Sequence, residues 1–423
     1  MTFFNDLITS LFDRKWFSKS LHGSASFDLD DLDDLLDAVM TAEGEVSALV
    51  HAQQMLTLID QLDDNGRQVL FQKLLALDLN APDLAQAALD YAENPTVAAL
   101  ARITETAEPQ WLELFRRLNA APNGTVKLVR LRQNLLESAK QNPEFLRLDV
   151  GFKALMRGWF NPGFLVLKPI DWSSSADVLE KIIAYEAVHE IKSWDDLRAR
   201  LAPEDRRCFA FFHPTMPNEP LIFVEVALMK STPEAIQEVL MPGRETLSQY
   251  DANTAIFYSI SNCQQGLAGI SFGNFLIKRV ANELQRDLPK LKRFVTLSPV
   301  PGFMAWLKTH HGDLHEQAAA PDVMENNDHL TKDLQKAAAS YFLVSSRPDQ
   351  TPNDPVARFH LGNGAILERI NLFADASPKA LKQSAGMMVN YLYELNEVEK
   401  RHEDYARHQT IHAADSIKQI LKS

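Results

Sequence analysis

The segment Gly269-Ile270-Ser271-Phe272-Gly273 fits G-x-S-x-G, the turn on which a serine hydrolase presents its nucleophile. The same residues form a glycine-rich turn running into the helical pattern "FGNFLIKRVANELQRDLPKL", a combination suited to holding phosphate. The two chemistries need different surroundings. A nucleophile elbow lies directly between a strand and a helix, but the strand pattern "TAIFYSIS" stops near Ser261 and "NCQQGLAG" intervenes. In a cradle, Gly266, Gly269 and Gly273 let the backbone approach a bulky anion and adopt positive φ where needed. Unpaired N–H groups at the helix start, aided by its dipole, would then point at a pyrophosphate. The arrangement favours the cradle.

Two other residues carry proton chemistry. Ser298 precedes Pro299, which biases its backbone to an extended conformation that projects the hydroxyl from a strand end. His360 stands between Phe359 and Leu361 and reads as a strand histidine. An ordinary imidazole titrates close to physiological pH and could give up a proton in each turnover. The remaining histidines, His310-His311 and the tail set His402, His408 and His412, have no H-E-x-x-H and no cysteine pair beside them. They read as solvated helix faces, and no metal is expected.

These residues need elements to hold them, and the two halves of the chain supply different ones. From about residue 28 to 158, apolar residues recur at three and four positions; Leu32, Leu35, Leu36 and Val39 would share one helix face. The expectation is an all-helical module over residues 1–159 that serves oligomerisation. After "WFNPGF" the pattern changes. "CFAFFHPTMPNEPLIFVEVALM" reads as two strands with prolines in the loop, "TAIFYSIS" as a third, and "RFVTLSPV" as a strand after the helix. In that helix Phe275, Leu276, Val280 and Leu284 share a face. "AILERINLF" is a later strand candidate, and the tail from Val398 to Lys422 is polar and helical. A helix following a hairpin-built sheet makes residues 160–423 a mixed α+β domain.

Composition narrows the function classes. The 423 residues carry a net charge of −13, which argues against a general nucleic-acid binder. No apolar run approaches the roughly 18 residues of a membrane span. Only Cys208 and Cys263 are present, so a reducing compartment fits best. The start, "MTFFNDLITSLFDRKWFSKS", reads neither as a secretory signal nor as a transit peptide, and Leu421-Lys422-Ser423 is not a peroxisomal address. The expected location is the cytoplasm.

The strand–strand–strand–glycine turn–helix–strand order resembles the Gcn5-related N-acetyltransferase (GNAT) fold, and Gln264-Gln265-Gly266-Leu267-Ala268-Gly269 is a loose version of its Q/R-x-x-G-x-G/A signature. Longer strings sharpen the likeness. "IFYSISNCQQGLAGISFGNFLIKRVANELQRDLPKLKRFVTLSPVPGFMAWL", "NDPVARFHLGNGAILERINLFAD", "HPTMPNEPLIFVEVAL", "SAGMMVNYLY" and "WSSSADVLEKIIAYEAVHEIKSWDDL" resemble the malonyl-CoA decarboxylase family from about residue 160 onward. One departure is Asp354, inserted within that family's N-P-V-A string.

The resemblance implies a carboxy-lyase of fatty acid metabolism that converts malonyl-CoA to acetyl-CoA and CO2. It implies Ser298 as proton acceptor and His360 as proton donor, with Ala268, Gly269, Ile270, Ser271, Phe272, Gly273 and Asn274 binding coenzyme A. Some members carry an acidic residue where Ser271 stands, so an essential role for Ser271 is not expected. No metal and no cofactor is implied beyond the coenzyme A of the substrate. The implied assembly is a homo-oligomer, dimer or tetramer, with no nucleic acid or membrane partner. Rival readings are a CoA-dependent acyltransferase on the same fold, a serine esterase using Ser271, and a non-catalytic helical scaffold.

Overall fold

Apolar spacing becomes buried helix face in the first described helix. In Asp31–Thr41 the side chains of Leu32, Leu36 and Val39 are buried. The computed structural model describes residues 31–270, 276–319, 328–345 and 347–422. Of the G-x-S-x-G turn, only Gly269 and Ile270 fall within these ranges; the readings on Ser271, Phe272, Gly273 and Asn274 lie outside the described residues, as does that on Phe275. The chain divides into two compact units. One is Met1–Asn161 with Pro214–Pro217 and Gln264–Ile270; the other is Pro162–His213, Asn218–Cys263 and Ser271–Ser423.

The first unit is helical throughout its described N-terminal part. Helices Gln110–Ala120 and Leu146–Trp159 meet through Trp111, Phe115 and Phe152, all fully buried. The Phe115 and Phe152 rings lie 4.3 Å apart and Trp111 meets Phe115 edge-on at 5.4 Å. Such pairs add to the burial energy of the rings.

The same unit holds the glycine segment in place. Arg132, in helix Gly124–Ser138, is wholly buried and donates to Asp149 Oδ1 at 2.7 Å. Its other two nitrogens donate to the carbonyls of Gly266, at 2.6 Å, and Ala268, at 2.9 Å. Burial raises the Asp149 carboxyl, but Arg132 and Lys153 outweigh it and hold the pKa below the usual carboxylate range. Gly266 is required for a different reason from the one its sequence suggests. A Cβ there would lie 1.9 Å from the Val129 carbonyl, so this glycine serves helix packing rather than anion approach. Gly269 does take positive φ, at 74°.

The second unit is a mixed eight-stranded sheet with helices. Its strands are β1 (Val166–Ile170), β2 (Arg206–His213), β3 (Met216–Met229), β4 (Thr254–Asn262), β5 (Arg293–Thr296), β6 (Ser298–Pro299), β7 (Ile366–Asn371) and β8 (Met388–Tyr393). The order is β1-β2-β3-β4-β5-β8-β6, with β7 paired to β8. β4 and β5 run parallel, while β8 is antiparallel to β5, β6 and β7. The three strands, helix Leu276–Asp287 and parallel strand that carry the GNAT likeness are therefore present. That helix buries Leu276, Val280 and Leu284, as its spacing predicts.

Three details differ from the sequence reading. Pro217 and Pro220 lie inside β3 rather than in the hairpin loop, which is only Pro214-Thr215. The helical tail is broken into Val398–His408 and Asp415–Ile420, because Ala413 between them bridges to Leu367 of β7. The segment "RFHLGNGA" is not a strand. His360 sits in the helix Pro355–Gly362, which Pro355 and the capping Asp354 start together.

Replacing Asp149 with alanine should expose the cost of the buried Arg132. A guanidinium left without its carboxylate in a dry site is destabilising by about 3–5 kcal/mol. Urea unfolding of Asp149→Ala checks this, and a loss below about 1 kcal/mol would contradict the role given to the pair.

Candidate active site

Strand β6 places Ser298 beside β8, with Ser298 opposite Val389. The helix Pro355–Gly362 brings His360 onto the same spot, and Ser298 Oγ lies 3.0 Å from His360 Nε2. Both side chains are buried, at 5% and 3% exposure. The structure thus unites residues that are 62 positions apart in sequence. Ala268, Gly269 and Ile270 belong to the other unit.

The hydrogen bonds fix where the protons are. Thr296 Oγ1 accepts the backbone N–H of Tyr391 at 3.1 Å and the Ser298 hydroxyl at 2.8 Å. With its own proton directed to Thr296, the Ser298 oxygen accepts from His360 Nε2–H. An imidazole that donates at Nε2 and is neutral must accept at Nδ1. Tyr393 hydroxyl meets Nδ1 at 2.8 Å and is its donor. Burial pushes the Tyr393 pKa well above its ordinary value, so the hydroxyl stays protonated. The result is a neutral chain, Tyr393 to His360 to Ser298.

His360 therefore does not titrate where its sequence context suggests. Burial pushes its pKa down to about 3. Tyr391 stacks on the ring at 4.6 Å between centroids, Phe359 meets it edge-on, and no charge among the described residues offsets the desolvation. A buried imidazole without a carboxylate partner remains neutral at physiological pH. It can donate an N–H but does not store a proton as imidazolium.

A second layer locks the first. Asn390 donates to the Thr296 carbonyl at 2.8 Å and accepts from Arg369, at 3.0 Å, and Asn371, at 2.8 Å. Asp354, the inserted residue, caps the histidine helix through Val356 N–H and Ala357 N–H, both at 2.9 Å. Its other oxygen receives the Tyr341 hydroxyl at 3.3 Å. Burial raises Asp354 above the usual carboxylate range, against the pull of N–H donors from Ala357, Gly302 and Val356. Gly302 lies four residues after Ser298, so this carboxylate ties the serine segment to the histidine helix. A Cβ on Gly302 would fall 2.5 Å from the Tyr341 hydroxyl.

A cavity of about 210 Å³ opens onto Ser298 and His360. Its other walls include Val188, Ile260, Pro299, Val356 and Phe359. Among the described residues, no group of three or more His, Cys, Asp or Glu side chains could hold a metal ion. His402 and His412 are instead hydrogen-bonded within the fold, to the Gly362 carbonyl and to Asp404. No described helix is long and apolar enough to cross a membrane.

Thr296, Tyr391, Tyr393 and Asp354 were not singled out for this site by sequence reasoning. Tyr391 and Tyr393 alternate in "MVNYLY", and that period of two was the available signal that both side chains share one sheet face.

Known proteins resemble most of the chain. Residues 163–423 match the malonyl-CoA decarboxylase C-terminal domain and residues 77–160 the malonyl-CoA decarboxylase N-terminal domain. The mitochondrial malonyl-CoA decarboxylase of Anser anser anser is 34% identical over 392 residues, covering 84% of this chain and 76% of the relative. The crystal structure of malonyl-CoA decarboxylase from Rhodopseudomonas palustris is 44% identical with a TM-score of 0.88, covering 93% of this chain and 100% of that one. The Agrobacterium vitis structure is 45% identical with a TM-score of 0.87, covering 92% and 99%. These matches make the chain a carboxy-lyase. More narrowly, it belongs to the malonyl-CoA decarboxylase family.

The neutral histidine has a consequence for stability. Its folded pKa of about 3 lies below the roughly 6.5 of a solvated imidazole. Its contribution is intact above pH 6.5 and is lost as pH falls toward 3, because only the unfolded chain takes up the proton. Between those limits the loss is about 1.4 kcal/mol per pH unit. Urea unfolding at pH 7.5 and pH 5 should show a steeper acid decline in the wild type than in His360→Gln; equal slopes would contradict the neutral assignment.

Proposed function

We propose that the chain converts malonyl-CoA to acetyl-CoA and CO2, with Ser298 and His360 handling the proton and residues 268–274 binding coenzyme A. The observation that carries the reading is the buried, neutral hydrogen-bond chain Tyr393–His360–Ser298 beside a small cavity.

Cleavage of the bond between C2 and the carboxylate leaves its electron pair on the thioester enolate as CO2 departs. The barrier falls when donors face the oxygen on which that charge develops. The Ser298 hydroxyl, turned from Thr296 toward the substrate, is such a donor. C2 then takes a proton delivered at the serine. His360 Nε2–H restores the Ser298 proton while Nδ1 gains that of Tyr393 and Tyr393 takes one from water in the same relay, so neither an imidazolate nor a tyrosinate forms. The proton consumed in each turnover re-enters the chain from water. In this reading the histidine is the proton donor, as a neutral imidazole rather than an imidazolium, and the serine is the acceptor of its proton.

Gly269, at positive φ, and the exposed Ala268 support a pyrophosphate cradle in which backbone N–H groups do the binding. We place the enzyme in fatty acid metabolism and in the cytoplasm; the free, buried thiols of Cys208 and Cys263 fit a reducing compartment. We also read the helical unit as a homo-oligomerisation surface forming a dimer or tetramer. Exposed Val46, Leu89, Val97 and Leu100 support it.

Incubation with malonyl-CoA should release CO2 and acetyl-CoA without a second substrate. Ser298→Ala and His360→Ala should each lower turnover on the order of 100-fold or more. Tyr393→Phe, which removes the Nδ1 donor, should lower it about 10-fold with little change in KM. Wild-type rates in the serine and histidine variants would sink the assignment.

Sedimentation at micromolar concentration should give a species larger than the 47.7 kDa chain. A monomer alone would count against the oligomeric reading.

A further inference from the structure

The cavity beside Ser298 has one wall built from a segment without helix or ladder. Residues 186–192 connect the helices Ala176–Tyr185 and Trp194–Leu201, and irregular connections of this kind are ordinarily the softest part of a site. Here the backbone is pinned. Glu186 Oε1 accepts the N–H groups of Val188 and His189, each at 2.8 Å, and the Ser259 hydroxyl at 2.8 Å. Glu186 Oε2 accepts Ser259 at 2.7 Å and Ser261 at 3.3 Å. Ser261 Oγ in turn accepts the Ala187 N–H at 3.2 Å, and Lys379 donates to the Ala187 carbonyl at 2.5 Å. Three consecutive residues are thus tied to strand β4 and to helix Pro378–Ser384.

Charge-assisted bonds to a carboxylate are stronger than neutral ones. One Glu186 side chain satisfies two backbone donors and two hydroxyls at once. One of the two residues whose N–H it accepts, Val188, lines the cavity together with Ile260, Ser298, Pro299, Val356 and Phe359. The cavity measures about 210 Å³. In so small a space each methyl group on the wall counts.

We infer that Glu186 is a positioning residue that fixes Val188 as a size filter, admitting an unsubstituted malonyl group and excluding 2-alkyl malonyl thioesters. The inference rests on the reading above, because it takes C2 of the acyl group to be protonated beside Ser298 and His360. An apolar pocket discriminates one methylene by roughly 10- to 200-fold. Removing two methyl groups from the wall should relax that discrimination near its lower limit.

The test uses the full chain and two substrates, malonyl-CoA and methylmalonyl-CoA, and reads the ratio of their kcat/KM values. Val188→Ala should raise the ratio for the methylated substrate about tenfold, and Val188→Leu should lower it. Glu186→Gln, which keeps one acceptor oxygen but turns a donor toward the two serine hydroxyls, should shift the ratio in the direction of Val188→Ala. General loss of stability reduces both rates together and leaves the ratio unmoved. Circular dichroism confirms that each variant is folded. A ratio within twofold of wild type in Val188→Ala overturns the filter. A shift in Val188→Ala without one in Glu186→Gln overturns the positioning role. Absence of wild-type turnover on malonyl-CoA overturns the parent reading, and with it the filter.

Discussion

An imidazole withdrawn from water carries one proton, and its neighbours decide on which nitrogen. At His360 that decision is made by the Tyr393 hydroxyl at 2.8 Å, and the surrounding architecture serves it. Strand β8 supplies both Tyr393 and the stacked Tyr391. Asp354 starts the helix that carries the ring, and Thr296 orients the serine that receives its Nε2–H. Among the described residues no carboxylate touches the imidazole, so it is oriented by dipoles and packing rather than by charge. That differs from the hydrolase triad, in which a buried carboxylate stabilises a protonated ring. For the proposed reaction, a neutral site avoids desolvating a permanent imidazolium in every state of the enzyme.

Much of the fold was legible because helix and strand periods differ. The buried face of Leu32, Leu36 and Val39 and that of Leu276, Val280 and Leu284 could be counted directly. The chemistry was less legible. Ser298 and His360 emerged from long strings resembling a family, while local context assigned His360 to a strand. The apolar neighbours that suggested β structure are the packing of a short capped helix, and Asp354 is the residue that decides between them. The pKa was hidden for a similar reason: it depends on Tyr391 and Phe359 closing around the ring, a tertiary fact with no local signature.

The glycine segment shows how one residue type can have different causes within a few positions. Gly266 has no side chain because a carbonyl of a neighbouring helix occupies the space. Gly269 is at 74° in φ, where a Cβ would be strained. Read from sequence, both looked like room for a ligand. Only Gly269 stays open to that reading, and Arg132 holds the carbonyls of Gly266 and Ala268 beside it.

The strand order also governs how the site comes into being. β5 and β6 are nearly continuous in sequence, yet they are spaced by β8, which enters the sheet between them about 90 residues later and pairs with both. Pairings of such long sequence separation form slowly, since the intervening chain must be ordered before they repay its loss of freedom. During synthesis, a ribosome that has not yet released residues 388–393 exposes Ser298 on an incomplete sheet, without the tyrosines that tune its partner. Once β8 inserts, its register is unforgiving, because a slip of one residue would turn both tyrosines to the opposite face. The proposed proton transfer therefore depends on the last strand to be synthesised, because the Tyr393–His360–Ser298 arrangement is complete only with β8 in the sheet.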